Sequence, residues 1–305
     1  MRTETRAFNE QLRALIATLP ATETLPLEVA RRARYEGRGI YPPPMFLPQA
    51  RWLDADGVRV RVLASEEPRG VYLHLHGGGW TLGAADLQDE PLNAIAQNTG
   101  LAVASVEYRL APEHPFPAGP DDCETAARWL VDGGYLELGA PPLFAIGGES
   151  AGAHLAVLTL LRLRETRSTA FAAANLVYGA YDLSGTPSRR RCTDALVLTG
   201  AVMDWFTDNF LPGLGAEQRR APDISPLYAD LRGLPPALFS VGTLDPLLDD
   251  SLFMGARWQA AGNETELRVY EEAVHGFNAF PIAVAKLAND TQIAFLSRVA
   301  AVTVE

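Results

Sequence analysis

A serine hydroxyl becomes a strong nucleophile only when a neighbouring base can take its proton, and that base needs a third group to hold its tautomer. Ser150 lies in Gly147-Gly148-Glu149-Ser150-Ala151-Gly152. Gly148 and Gly152 stand two residues before and two after it, which is the G-x-S-x-G spacing of a nucleophile elbow. Only small residues there let the backbone turn tightly enough to push the hydroxyl clear. Of the five histidines, only His275 lies far downstream, in Val274-His275-Gly276-Phe277. In chains built on such an elbow, an acid and then a histidine follow the serine. The acid therefore falls between them, and Asp182, Asp245, Asp249 and Asp250 compete. Asp245 is favoured because Gly242 and Thr243 precede it at a strand end and Pro246 suits the first turn of the helix that follows. Asp249 and Asp250 precede an apolar helical run, where an acidic residue can serve the helix N-terminus. Asp182 can simply bond the turn at Ser184 and Gly185.

Acyl transfer also needs donors aimed at a developing oxyanion. His76-Gly77-Gly78-Gly79 follows an apolar strand, and its glycines let backbone N–H groups come close. A phosphate cradle is the rival use, but neither a lysine nor the G-x-G-x-x-G spacing accompanies it. His74 and His114 read as structural, and His154, one helical turn past Ser150, as a buried histidine with a backbone partner.

These residues need a scaffold that delivers them to one edge. Pro142 to Ile146 reads as a buried strand and Ala153 to Leu163 as a buried helix, so Ser150 stands at a strand–turn–helix apex. Arg51 to Ala64 alternates around Asp54-Ala55-Asp56-Gly57 and predicts a hairpin with an Asp-Gly turn rather than a calcium loop. Strands are expected at 71–75, 101–108, 174–181, 237–241 and 266–270. Helices are expected at 86–99 (closed by Gly100), 121–131 and 289–300. Strands apolar on both faces, alternating with helices, predict an α/β fold with a mostly parallel sheet covered on both sides. Phe8, Leu12, Leu15, Ile16 and Leu19 share one helical face that ends at Pro20, and an irregular connector with Pro42-Pro43-Pro44 follows. Residues 1–48 form an appendage in this reading. Residues 184–225 carry Leu196, Met203, Trp205, Phe206 and Phe210 in helical patterns and interrupt the alternation, so they are expected to be an inserted helical cap. The catalytic domain would then comprise 49–183 and 226–305.

The 305 residues and 48% hydrophobic content allow a large core. The balance of 26 basic against 37 acidic residues, net −11, argues against a nucleic-acid or anionic-membrane partner. Arg189-Arg190-Arg191 is the one basic cluster and is expected to be a solvated face. Two cysteines, Cys123 and Cys192, imply no disulfide framework and have no metal-ligand spacing, so no metal or cofactor is expected. Arg13 interrupts the nearest candidate for a leader segment, and no apolar run nears the ~20 residues of a membrane span. A cytoplasmic protein without membrane insertion is the expectation.

Taken together, His76-Gly-Gly-Gly-Trp, Tyr108-Arg-Leu-Ala-Pro-Glu-His-Pro-Phe-Pro, Gly148-Glu-Ser-Ala-Gly, Asp245-Pro-Leu-Leu-Asp-Asp and His275-Gly-Phe resemble the hormone-sensitive-lipase-like esterases, the bacterial type IV branch of the α/β-hydrolase fold. The motifs span 76–277 in family order. The resemblance implies a sheet of about eight strands with flanking helices, and a cap made of the N-terminal segment and the 184–225 insertion. It implies Ser150 as nucleophile, Asp245 as acid and His275 as base, with an oxyanion hole from the N–H groups of Gly78, Gly79 and Ala151. His76, Gly77 and Glu149 are expected to support that loop, and Trp80, Trp205 and Phe206 to line the substrate pocket, with Phe210 equally suited to the cap's own core. Two residues depart from the family pattern: Glu149 stands where Asp is usual, and Ala153 where a further Gly is usual. The implied activity is hydrolysis of small carboxylic esters with short to medium acyl chains. An amidase or deacetylase would use the same machinery. A receptor of the same fold is disfavoured by the presence of His275. Family members often dimerise, so a homodimer is compatible with the resemblance.

Overall fold

The computed structural model describes residues 1–165 and 170–301. Eight strands form one sheet: β1 (Arg51–Ala55), β2 (Val58–Leu63), β3 (Val71–Leu75), β4 (Ala102–Val106), β5 (Phe144–Glu149), β6 (Ala173–Val177), β7 (Ala237–Gly242) and β8 (Thr265–Tyr270). Their spatial order is β1-β2-β4-β3-β5-β6-β7-β8. The hairpin β1–β2 and the β2–β4 pair are antiparallel, and every other pair is parallel. Parallel strands lie between layers of helices, and β3, β4, β6 and β7 are buried along their whole length. That explains their unbroken apolar runs. The edge strands β1 and β8 are partly exposed.

The helices are α1 (Arg2–Ile16), α2 (Leu27–Tyr35), α3 (Asp89–Thr99), α4 (Ala118–Val131), α5 (Ala151–Arg164), α6 (Pro187–Arg191), α7 (Gly200–Phe210), α8 (Leu248–Ala260) and α9 (Ala283–Ala301). Gly100 closes α3 in the left-handed conformation. Helix α5 is buried nearly all round, as its continuous apolar sequence requires. No described helix is long and apolar enough to cross a membrane.

Several boundaries differ from the sequence reading, each for a local reason. Residues 27–35 are helical, not irregular. Of α2 only Ala30 is buried, so the helix carries almost no apolar signal. It is held instead by Arg31, which donates to the carbonyls of Thr81 (2.9 Å) and Ala111 (3.0 Å) and pairs with Glu113. The expected strand to Tyr181 ends at Val177, because Tyr178 adopts φ 36° and turns the chain off the sheet. Helix α9 begins six residues earlier than its apolar pattern. The arginine run is only partly solvated: Arg189 is mostly covered and donates to Asp204 and Thr207, while Arg190 donates to the Gly185 carbonyl.

Helix α1 lies against α9 and the loop after β8. Phe8 packs on Phe280 with ring centroids 5.0 Å apart, and Asn9 donates to the Glu272 carbonyl at 2.9 Å. Helix α7 covers the loop after β3: Phe210 stacks on Trp80 at 4.6 Å, and Phe206 faces Gly79.

Candidate active site

The sheet brings four loops to the carboxyl ends of neighbouring strands, the position where open α/β sheets place their sites. Strands β3 and β5 pair directly, with Leu75 opposite Gly148, so the glycine loop after β3 adjoins the elbow after β5. Strands β7 and β8 also pair, so the loops of Asp245 and His275 are neighbours.

Ser150 occupies φ 57° and ψ −119°, a conformation disfavoured for a residue with a side chain. Its N–H donates to the Val177 carbonyl at 2.8 Å, which helps hold the turn. The flanking glycines are there because the elbow presses on β3. A Cβ on Gly148 would meet the Leu75 carbonyl oxygen at 2.0 Å, and one on Gly152 at 1.8 Å.

His275 Nε2 is 3.0 Å from Ser150 Oγ, and His275 Nδ1 is 2.9 Å from Asp245 Oδ2. The Asp245 carboxylate is an acceptor only, so Nδ1 carries the ring proton and Nε2 is free to accept from the serine hydroxyl. Asp245 is itself fixed, because its other oxygen accepts from the Leu247 N–H at 2.8 Å. Its side chain is fully buried and that of His275 almost so. Tyr178 tilts over the His275 ring at 4.6 Å. Its unusual φ therefore sets a wall of the site.

The rival acids are occupied elsewhere. Asp182 accepts from the Ser184 N–H and hydroxyl and from the Tyr228 hydroxyl, which is the turn role expected of it. Asp249 and Asp250 sit in the first turn of α8, yet their bonds run outward rather than to that helix end. Asp249 accepts from the Ser188 N–H, and Asp250 from the Tyr181 and Asp182 N–H groups and the Thr186 hydroxyl. These contacts span some sixty residues of sequence, so no local pattern announces them.

Gly78 and Gly79 have φ 121° and 58°. A Cβ on Gly78 would lie 2.1 Å from the Leu82 carbonyl oxygen, and one on Gly79 would lie 2.2–2.4 Å from the Phe206 ring. Neither N–H has an acceptor among the described residues. Ala151 opens α5, where the first N–H groups have no intrahelical partner. The loop is tied to the elbow by Glu149. Oε1 accepts from the Gly77 N–H (2.7 Å) and the Gln88 amide (2.8 Å), and Oε2 accepts from His74 Nε2 (3.0 Å). Burial alone would push this carboxyl up, but the His74 ring and these donors outweigh it and hold it below the usual range. His76 stacks on Tyr108 at 4.2 Å and donates from Nδ1 to the Gly77 carbonyl at 2.9 Å. Burial pushes its pKa down to about 4, so it is neutral.

Sequence reasoning missed His74 and Gln88 as partners of Glu149. Their only signal was a polar residue in an otherwise apolar strand and one at a helix entrance. His154 has the structural place expected of it, between Trp80 Nε1 (3.1 Å) and the Ile224 carbonyl (2.8 Å). Trp80 and Phe210 are both buried in this packing. Of the expected pocket residues, Phe206 is the one the structure places against the glycine loop, with Trp205 tilted beside it at 5.1 Å. No group of three or more His, Cys, Asp or Glu that could hold a metal gathers among the described residues.

A sequence profile of the α/β-hydrolase fold matches residues 72–279, and the chain belongs to that family. The chain is 36% identical over 296 residues to the carboxylesterase NlhH of Mycobacterium tuberculosis, with 92% of each chain covered. Its fold is similar to the hyperthermophilic esterase of the archaeon Pyrobaculum calidifontis, with a TM-score of 0.86, 28% identity and coverage of 96% of this chain and 98% of that one. It is also similar to a solved esterase of the bacterial hormone-sensitive lipase family, with a TM-score of 0.82, 30% identity and coverage of 98% and 99%. The protein is thus a carboxylic-ester hydrolase of the hormone-sensitive-lipase-like group.

Proposed function

We propose that Ser150 is the nucleophile, His275 the general base and Asp245 the residue that orients it, in hydrolysis of small esters with short to medium acyl chains. The supporting observation is the unbroken chain from Ser150 Oγ to His275 Nε2 (3.0 Å) and from Nδ1 to buried Asp245 (2.9 Å). Ser150 Oγ attacks the ester carbonyl as its proton passes to His275 Nε2. The tetrahedral oxyanion is met by the N–H groups of Gly78, Gly79 and Ala151. His275 then gives that proton to the departing alkoxide, leaving an acyl-serine. Water, deprotonated by the same Nε2, attacks the acyl-serine; as the acyl C–Oγ bond breaks, Nε2 returns that proton to Ser150 Oγ and the acid is released. Asp245 stabilises the imidazolium through Nδ1 and stays ionised throughout.

The N-terminal segment and the 184–225 insertion act as the cap, and Phe206 over Gly79 limits the length of the acyl chain. Unpaired Cys123 and Cys192 fit a cytoplasmic setting. The test is an ester series from acetyl to palmitoyl beside an arylamide of matched acyl group, run with Ser150→Ala. The expected result is a short-chain optimum and a loss on the order of 10⁴–10⁶ in kcat for the variant. A fluorophosphonate should label Ser150 alone. Retained turnover or labelling at another serine would remove the assignment.

A further inference from the structure

One cation at this site, Arg34, has no ion-pair partner among the described residues. Arg34 projects from α2, and its Nη1 comes within 3.1 Å of the point a Gly78 Cβ would occupy. Its guanidinium faces the Tyr41 ring, 5.4 Å from the centroid. Tyr41 in turn reaches the histidine loop, with its hydroxyl 2.4 Å from the point a Gly276 Cβ would occupy, and its ring stacks on Phe280 at 5.4 Å. Arg34 and Tyr41 therefore form a strip from the oxyanion loop to the residue after His275.

Among the described residues the Arg34 guanidinium makes no ion pair, and none of its N–H groups donates to a protein acceptor. Neighbouring Arg31, three residues earlier on the same helix, is by contrast bonded to Glu113, Thr81 and Ala111. The two carboxylates of the site are committed elsewhere: Glu149 to Gly77, Gln88 and His74, and Asp245 to His275 and Leu247. A half-buried guanidinium with its planar fork of donors open, beside the Tyr41 ring, is suited to a carboxylate held in two-point contact.

Building on the proposed use of Gly78 as an oxyanion donor, we propose that Arg34 binds a carboxylate carried by the substrate. The ester hydrolysed is then a monoester of a short dicarboxylic acid. Its scissile carbonyl lies at Ser150, and its free carboxylate a few bonds away lies on Arg34. The Arg34 guanidinium supplies a local attraction for an anionic group on a chain whose net charge is −11.

Monoethyl succinate and diethyl succinate share the acyl chain and differ in the charge. For the full-length enzyme, kcat/KM for the monoester should equal or exceed that for the diester, and the ratio should fall as salt is raised. Arg34→Gln should lower kcat/KM for the monoester about 10–100-fold, the worth of a charge-assisted bond, while leaving the diester within about threefold. The retained diester rate also reports that the variant is folded. Arg34→Lys, which keeps the charge but not the fork, should recover part of the loss. An equal fall on both substrates would overturn the proposal and make Arg34 a support of the oxyanion loop. An unchanged monoester rate would overturn it as well. Failure of the catalytic assignment is separate, because it appears as diester turnover surviving Ser150→Ala.

Discussion

Replacing Gly79 by alanine tests the oxyanion loop on its steric terms. The added Cβ would fall 2.2–2.4 Å from three atoms of the Phe206 ring, where carbon atoms ordinarily rest about 3.5–4.0 Å apart. Either the ring withdraws by more than about 1 Å or the loop moves, and the loop carries the donor. The φ of 58° adds about 1–2 kcal/mol for a residue with a Cβ. If the N–H of Gly79 stabilises the oxyanion, its displacement should lower kcat about 10²–10³-fold. The assay is kcat on p-nitrophenyl acetate for four proteins: wild type, Gly79→Ala, Phe206→Ala and the double variant. Removing the ring leaves only the backbone term. The double variant should therefore lie within about tenfold of Phe206→Ala, giving a coupling above about 1.4 kcal/mol. Wild-type kcat in Gly79→Ala would refute the donor role. A double variant as inactive as the single one would refute the steric account.

Asp245→Asn should lower kcat by up to about 10⁴, because an amide beside Nδ1 favours the wrong tautomer of His275, whereas Asp182→Asn should cost stability and little rate; the reverse ranking would reassign the acid. Glu149→Ala leaves the Gly77 N–H and the Gln88 amide without their acceptor, so urea unfolding should show a loss of about 1–3 kcal/mol together with a lower kcat. Unchanged values would mean that the tie to the loop is idle. Burial pushes His76 and His154 down to about 4 in the folded chain, against about 6.5 when unfolded. The stability they contribute is complete above pH 6.5 and is lost as pH falls towards 4, with the unfolded state binding nearly two more protons near pH 5. Urea midpoints measured across pH 7 to 4.5 should fall more steeply in wild type than in a variant with both residues replaced by Gln, and parallel curves would contradict this.

The chemistry was legible because close approach leaves a mark in composition. Gly148 and Gly152 must be glycine where the elbow meets Leu75, and the parallel strands must be apolar because both faces are covered. Asp245 could be ranked above Asp182 because strand ends and a following proline are local facts. What stayed hidden was held by polar contacts over long separations. Helix α2 rests on Arg31 reaching carbonyls some fifty and eighty residues away, so its own sequence shows no buried face. The bonds of Asp250 to residues 181–186 and of His74 to Glu149 likewise have no signature in either partner alone. Trp80 is expected to line the pocket as bulky apolar surface near its mouth. Its backbone sits at φ 57°, and its ring packs on Phe210 and His154.

The contact of α1 with the loop after β8 also bears on how the chain is made. Asn9 finds its acceptor at Glu272, and Phe8 its ring partner at Phe280. At a synthesis rate of about 5–20 residues per second, roughly 15–55 s separate the emergence of α1 from that of its docking surface. Throughout that interval the apolar stripe of Phe8, Leu12 and Ile16 lacks its Phe280 and Ile282 partners, while β3 to β6 can already assemble. Helix α1 is thus synthesised well before the surface on which it docks.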